Sequence, residues 1–335
     1  MSDRATVALF GAGSWGTALA MQLARNGTRV NLWGHAPEHV ENLIKHRENR
    51  EFLPGIKLDD NIYPMPTLDA CLNQADAVLI AIPSKAFRAF LGQLKLVLNP
   101  APSVFWASKG FEIESGKLLH QLLLEELPGH HYGVVSGPTF ATEVARGLPA
   151  AITCAGDDEI ATAFFASLLH GSRFRCYTSD DVIGVELGGA LKNILAIAVG
   201  TADGLGFGAN TRAALMTRGL SEVMRLGQRL GARQETLMGL AGLGDLILTC
   251  TDDQSRNRRF GLAIGKGRTV EQAMIDVGQT VEGYRAARAI YLLSQEMGLE
   301  LPIMEQVYRV LYENIKPIDA VQSLENRPQR PEYND

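Results

Sequence analysis

The stretch Thr6–Ala20, TVALFGAGSWGTALA, decides how the first half of the chain is read. Val7-Ala8-Leu9-Phe10 is a continuous apolar run, as in a strand buried on both faces, and from Trp15 to Arg25 the apolar residues take helical spacing. Between them, Gly11, Gly13 and Gly16 form the pattern G-x-G-x-x-G. Alone that pattern is a weak signal, because a plain tight turn uses glycines too. After a strand and before a helix each glycine acquires a task. Gly11 permits the turn, Gly13 lets a pyrophosphate approach the backbone, and Gly16 lets the helix pack closely on the sheet. The helix start offers free N–H groups and the positive end of its dipole to the anion. Gly27, just past Asn26, is placed to end that helix.

The next strand refines this reading. In a site selective for NAD, a carboxylate at this strand's end binds the ribose 2′-hydroxyl. Here Arg29–Trp33 runs into Gly34-His35, with no acid. Nothing there repels a 2′-phosphate, so NADP is expected to be accepted together with NAD. His35 has three readings: a donor to that phosphate, a cover for the adenine, or a plain surface histidine.

Further apolar runs at Ala77–Ile82, Val104–Ala107 and Gly133–Ser136 alternate with helical stretches such as Ala86–Leu98. That alternation predicts an α/β architecture, a doubly wound Rossmann-type parallel sheet. From about Asp180 the strand-like runs stop. Helical patterns follow at Asp181–Ala202, Ala213–Leu230, Val270–Val277, Tyr284–Glu296 and Ile303–Glu313. The expected domains are a dinucleotide-binding domain over 1–180, an all-helical C-terminal substrate domain over 181–318, and a loosely held tail over 319–335.

Composition sets the outer limits. With 335 residues, 46% hydrophobic and 21% charged, the chain is an ordinary globular composition with room for two domains. The net charge of −5 and the lack of a Lys/Arg run argue against nucleic acid and anionic membrane as partners. Cys71, Cys154, Cys176 and Cys250 are scattered without a C-x-x-C pair, which argues against a zinc site and fits small buried thiols in a reducing compartment. Asp3 and Arg4 precede a short apolar stretch broken by glycines, unlike a signal peptide. The apolar stretch Leu187–Ala202 carries Lys192 and Asn193 and is expected to be too short to span a bilayer. A cytoplasmic protein with no stable membrane association is the expectation.

Ligands of open α/β sheets gather outside the carboxyl ends of the strands. IPSKAF puts Pro83 and Ser84 there, FWASKGFE puts Ser108, Lys109 and Gly110 there, and SGPTFATEVARG sets a Gly137-Pro138 turn before a helix expected to begin near Thr139. Lys109 either reaches cofactor and substrate together or is a solvated surface lysine. In VELGGALKNILA, Lys192 interrupts an apolar helix; Gly188 and Gly189 share its face and are expected to leave room for a small molecule against the ammonium. Burial lowers a lysine's pKa, which suits proton transfer to a carbonyl oxygen; the rival reading is a lysine whose charge reaches the surface. In GLAGLGDLILTC, Asp245 is either a helix-capping acid or a group that orients a lysine or binds a substrate hydroxyl. DDQSRNRRFG gathers Ser255, Arg256, Asn257, Arg258 and Arg259. With a dinucleotide fold upstream, a clamp for a phosphorylated substrate is a more economical account of it than a solvated basic turn.

Taken in order, GAGSWGTA, LWGH, IPS, SKGFE, SGPTFA, ELGGALKNILAIAVG, AGLGDLILTC, SRNRRFG and GQTVEG resemble the NAD(P)-dependent glycerol-3-phosphate dehydrogenase family of the bacterial soluble type, over nearly the whole chain. The resemblance implies a 6-phosphogluconate-dehydrogenase-like pairing of sheet and helical domains. It also implies reversible reduction of dihydroxyacetone phosphate to sn-glycerol 3-phosphate, feeding phospholipid synthesis. Lys192 matches the family's proton-transferring lysine, which also binds substrate. Lys109 matches a residue shared by cofactor and substrate. Gly137, Thr139, Asp245, Ser255, Arg256 and Asn257 match substrate positions, with Arg256 also near the cofactor. Ser14, Trp15, His35, Ala141 and Glu282 join the three glycines as cofactor positions. A homodimer is implied, with the helical domain in its interface. The chain departs from the family pattern at His35, where Arg is also common, and at Thr280, where an aliphatic residue is common. Two other readings of the residues are a dehydrogenase acting on a hydroxy acid and a dinucleotide-sensing regulator. The first needs a carboxylate clamp, and the second has no use for a buried lysine.

Overall fold

A computed structural model describes residues 4–99, 102–329 and 331–332. The chain divides into two compact units. The first runs to Gly189 and includes Gly227–Leu248; the second holds Ala190–Leu226 and the chain from Thr249 onward.

In the first unit, β1 (Thr6–Phe10), β2 (Arg29–Trp33), β3 (Ile62–Met65), β4 (Ala77–Ile80), β5 (Ser103–Trp106), β6 (Tyr132–Ser136), β7 (Ala150–Gly156) and β8 (Phe174–Ser179) form one sheet. Its order is β3-β2-β1-β4-β5-β6-β7-β8, so the winding reverses between β1 and β4. That reversal opens the crevice in which ligands of doubly wound sheets bind. Phe10 stands opposite both Trp33 and Ile80, so the loops after β1, β2 and β4 leave the sheet at one level. All pairings are parallel except β6 with β7.

The helices of this layer are α1 (Ser14–Arg25), α2 (Pro37–His46), α3 (Leu68–Leu72), α4 (Phe87–Leu94), α5 (Leu119–Glu126), α6 (Ala141–Ala145) and α7 (Glu159–Leu169). They cover both faces. Val7 and Leu9 join a cluster with Leu19 and Leu23 of α1 and Phe165 of α7. Ala8 and Phe10 point the other way, to Phe87 and Leu91 of α4 and Leu122 of α5. Burial on both faces is why β1 reads as an unbroken apolar run. The four cysteines are free and buried. α6 begins at Ala141, after an extended Phe140, two residues later than the helix start expected near Thr139. Thr139 instead turns its hydroxyl back to donate to the Gly137 carbonyl at 3.1 Å.

Beyond β8 the chain is helical: α8 (Val182–Gly204), α9 (Ala209–Leu230), α10 (Gln234–Met238), α11 (Asp245–Thr251), α12 (Arg256–Gly265), α13 (Val270–Val277), α14 (Glu282–Met297), α15 (Pro302–Tyr312) and α16 (Pro317–Glu325). α8 ends two residues beyond the expected Ala202. At 23 residues and a mean hydropathy of 1.7 it has the length and composition of a membrane span, but 89% of its most apolar stretch is buried inside the protein. It is a core helix. In the second unit, Gly200 and Gly204 of α8 meet the backbone of α12, and Gly261 and Gly265 of α12 meet the backbone of α8; a Cβ at any of them would collide. The two helices are thereby locked in register. Glu222 of α9 accepts hydrogen bonds from the Ile303 and Met304 N–H groups at the start of α15, and burial pushes its carboxyl up to about 7.

The tail is less loose than expected. Pro317 starts α16, whose Ala320 is buried. Positions 330 and 333–335 lie outside the described residues.

Candidate active site

The glycine loop fits the cradle reading, and each glycine differs in why. Gly11 has φ +119°, and a Cβ there would run into the Ala81 carbonyl at the end of β4. A Cβ on Gly16 would strike the Gly11 carbonyl, so this glycine brings α1 down onto the turn. Gly13 is different: a Cβ there would meet nothing within 4 Å. No protein atom requires that glycine, and the open space is what an approaching pyrophosphate needs. Gly13 also caps α1 without any side-chain hydrogen bond, and no acid stands in the helix's first turn. The Trp15 indole Nε1 is buried with no hydrogen-bond partner. An open glycine, an uncapped helix start and an orphaned donor suit an anionic, hydrogen-bonding ligand such as a dinucleotide.

Ser14 donates to the Phe52 carbonyl at 2.7 Å. His35 is exposed past the end of β2. A different histidine, His39, comes to the glycine loop, with Nε2 3.1 Å from the Ala12 carbonyl.

At the carboxyl end of β5, Lys109 Nζ donates to Asp245 Oδ2 at 2.7 Å. The Asp245 side chain is fully buried and that of Lys109 is 18% exposed. Asp245 stands in the first turn of α11, and its carboxylate takes the ammonium of Lys109. Removing one partner of such a pair strands a buried charge. Ser108 donates to the Ile82 carbonyl at 2.6 Å and ties the ends of β4 and β5 together. Ala141 is half-buried at the start of α6. Gly137 lets β6 pass close to β7, where a Cβ would lie 2.8 Å from the Ile152 Cα.

The glycine pair of α8 corrects an expectation. Gly188 faces the Ala241 carbonyl, and a Cβ on Gly189 would lie 2.7 Å from Ser136 Oγ and 3.5 Å from Lys109 Cδ. These glycines bring α8 close to the 240–244 turn and to β6. They do not leave space for a molecule. At the start of α8, Glu186 accepts from the His120 N–H at 3.0 Å and lies 2.5 Å from its Nδ1. Burial raises the Glu186 carboxyl, against the pull of that histidine.

In the second unit, Lys192 is 9% exposed on α8, with Leu191, Ile194 and Leu195 buried beside it. The residue is buried rather than extended along the surface. The basic segment after α11 sorts into distinct tasks. Ser255 caps α12, its Oγ accepting from the Arg258 N–H at 3.2 Å. Asn257 donates to Asn193 Oδ1 at 2.8 Å and accepts from the Gly283 N–H at 2.9 Å, joining α12 to α8 and α14. Arg258 is an internal clamp: it donates to the Cys250 carbonyl at 3.1 Å and to Asp203 at 2.6 Å, and pairs with Asp253. Only Arg256 and Arg259 of this segment's arginines are exposed. Arg256 touches Gln279 Oε1 at 3.3 Å and lies in the field of Glu282, the first residue of α14. Gln279 carries no signal in the sequence, and Asn193 shows there only as a polar residue beside Lys192 in an apolar stretch.

The chain is similar to known proteins along nearly its whole length. Two family models match in succession: the NAD-dependent glycerol-3-phosphate dehydrogenase N-terminus over residues 6–162 and its C-terminus over residues 181–322. Glycerol-3-phosphate dehydrogenase [NAD(P)+] of Shewanella halifaxensis is 51% identical over 99% of this chain and 98% of its own length. The enzyme of that name from Thioalkalivibrio sulfidiphilus is 52% identical over 98% of each chain. The crystal structure of glycerol-3-phosphate dehydrogenase from Coxiella burnetii superposes with a TM-score of 0.94 at 44% identity, covering 97% of this chain and 99% of that one. Full-length likeness at this level, on the geometry above, means that the chain belongs to the NAD(P)-dependent glycerol-3-phosphate dehydrogenase family.

Proposed function

We infer that the chain is an oxidoreductase that reversibly reduces dihydroxyacetone phosphate to sn-glycerol 3-phosphate with NADPH or NADH, supplying glycerophospholipid synthesis. The observation that carries the substrate side is the start of α12. There Ser255 and Asn257 are fixed by internal bonds, while Arg256 is an exposed residue whose cation can meet a phosphate dianion.

Bound NAD(P)H supplies the hydride. Lys192 gives a proton to the C2 oxygen as negative charge develops there, and it also contacts the bound substrate. Asp245 holds the Lys109 ammonium, which serves substrate and cofactor alike. Gly137 and Thr139 add backbone and hydroxyl contacts. Ser255, Arg256 and Asn257 hold the phosphate, so that binding energy remote from C2 orients the carbonyl. Gly11, Gly13, Ser14, Trp15, Gly16, His35, Ala141 and Glu282, with Lys109 and Arg256, hold the dinucleotide. In functional terms we assign residues 1–180 to the dinucleotide and 181–318 to the substrate, with the tail over 319–335. A cytoplasmic homodimer belongs to the same reading and rests on the family resemblance.

The test is loss of absorbance at 340 nm when dihydroxyacetone phosphate is added to the chain with NADPH and, in parallel, with NADH. Turnover is expected with both, since no acid stands at His35 to repel the 2′-phosphate. No turnover with either cofactor overturns the reading.

A further inference from the structure

We propose that Asn49 is a positioning residue for the dinucleotide: it holds the Ala12–Gly13 peptide in the one orientation that presents an N–H to the pyrophosphate. The inference rests on the cofactor reading above and concerns a segment that no motif in the sequence marks.

After α2 the chain turns sharply at Arg47, which takes the left-handed conformation at φ 51°. Residues 48–57 then form a strap closed by an antiparallel bridge between Glu48 and Lys57 and by the Gly55 N–H donating to Glu48 at 2.9 Å. Leu53 and Leu58 anchor it in the core cluster that contains Leu19 of α1. From this strap Asn49, 1% exposed, reaches the glycine loop. Its Nδ2 donates to the Ala12 carbonyl at 2.9 Å and to Thr17 Oγ1 at 2.8 Å, and its Oδ1 accepts from the Phe52 N–H at 3.2 Å. The amide is fully used. Phe52 returns the connection by accepting from Ser14 Oγ at 2.7 Å.

The consequence follows from peptide geometry. Among the described residues there is no cis peptide bond, and in a trans peptide the C=O and the following N–H point to opposite sides. With the Ala12 carbonyl bound to the strap, the Gly13 N–H points away from it. A glycine peptide flips easily, because Gly tolerates both signs of φ. Flipped, this one would turn a carbonyl toward the phosphates and repel them. Asn49 blocks the flip, since both its N–H groups already have acceptors fixed on the loop and on α1. His39 supports the same carbonyl, with its Nε2 at 3.1 Å.

The experiment compares NADPH and NADH binding, by quenching of intrinsic fluorescence, in the wild type, Asn49→Ala and Asn49→Asp. The aspartate matches the amide in shape but brings a carboxylate to the Ala12 carbonyl. Both variants are expected to raise Kd for NADPH and NADH about tenfold or more and by the same factor. kcat at saturating cofactor and KM for dihydroxyacetone phosphate should stay within about threefold. Leu123→Ala, in the core on the opposite face of the sheet, serves as the control: it lowers Tm without moving either Kd. Binding within about twofold of wild type in the folded Asn49 variants overturns the proposal, as does a loss confined to NADPH, which would place the residue at the 2′-phosphate. If neither Asn49 variant folds, His39→Ala is read the same way. A rise in both Kd values supports the proposal, and no change overturns it. A wild type that binds neither nucleotide defeats the cofactor reading itself.

Discussion

Lys192→Ala and the closer isostere Lys192→Met are expected to lower kcat by about 10²–10⁴, the range supplied by a positioned general acid. That corresponds to about 3–5 kcal/mol of transition-state stabilisation. The reasoning starts from the product side: hydride arriving at C2 leaves an alkoxide, and an alkoxide formed away from water needs a proton at once. Lys192 is 9% exposed and flanked on α8 by buried aliphatic residues, so its ammonium is poorly served by solvent. Its charge acts with little screening there. The loss should fall on kcat, while Kd for NADPH stays within about twofold, because the glycine loop is untouched. Stopped-flow oxidation of NADPH with excess dihydroxyacetone phosphate, alongside a binding titration, separates the two. Turnover near the wild-type rate in either variant removes Lys192 from the mechanism.

Arg256→Ala should reduce kcat/KM for dihydroxyacetone phosphate by about 10–150-fold, matching the loss of about 1.5–3 kcal/mol when a charge-assisted hydrogen bond disappears. The arginine is suited to a clean test. The residue is exposed and its side-chain contact to Gln279, at 3.3 Å, is long, so truncation leaves the fold intact. Arg258, two residues on, is the opposite case, since it is buried and bonds to the Cys250 carbonyl, Asp203 and Asp253. At saturating NADPH the rate with unphosphorylated dihydroxyacetone should fall far less, because that substrate has no phosphate for the group to hold and only the contact of Arg256 with the cofactor is lost. An equal fractional loss on both substrates would mean that Arg256 serves the cofactor or the fold rather than the phosphate.

Legibility in the sequence followed burial. β1 is readable to the residue because neither face of it meets water, which leaves an unbroken apolar run, and in β2 buried Val30 and Leu32 carry the signal past exposed Arg29. β3 has four residues and a proline, tolerable only because the strand lies at the sheet edge. β7 is built mostly of small residues, and β8, at the other edge, alternates buried Phe174 and Cys176 with exposed Arg175 and Tyr177. None of these three carries a strong strand signal, and all were passed over. The site divided along a different line. Lys109, Lys192, Asp245 and the 255–257 segment stand out because a charge or a polar run interrupts an apolar context. Pairings across the chain leave no such trace. Lys109 and Asp245 are 136 positions apart, and Asn49 reaches Thr17 across 32, so spacing carries no sign of either contact. Gly188 and Gly189 show the limit of helical periodicity: it places two residues on one face and is silent about what fills the gap.

The central claim is that a dinucleotide fold has been joined to a phosphate clamp so that remote binding orients a carbonyl for reduction. Its most direct test is the ratio of kcat/KM for dihydroxyacetone phosphate to that for dihydroxyacetone in the wild type, with saturating NADPH. Two charge-assisted bonds at about 1.5–3 kcal/mol each predict a ratio on the order of 10²–10⁴. Comparable values for the two substrates would contradict the account.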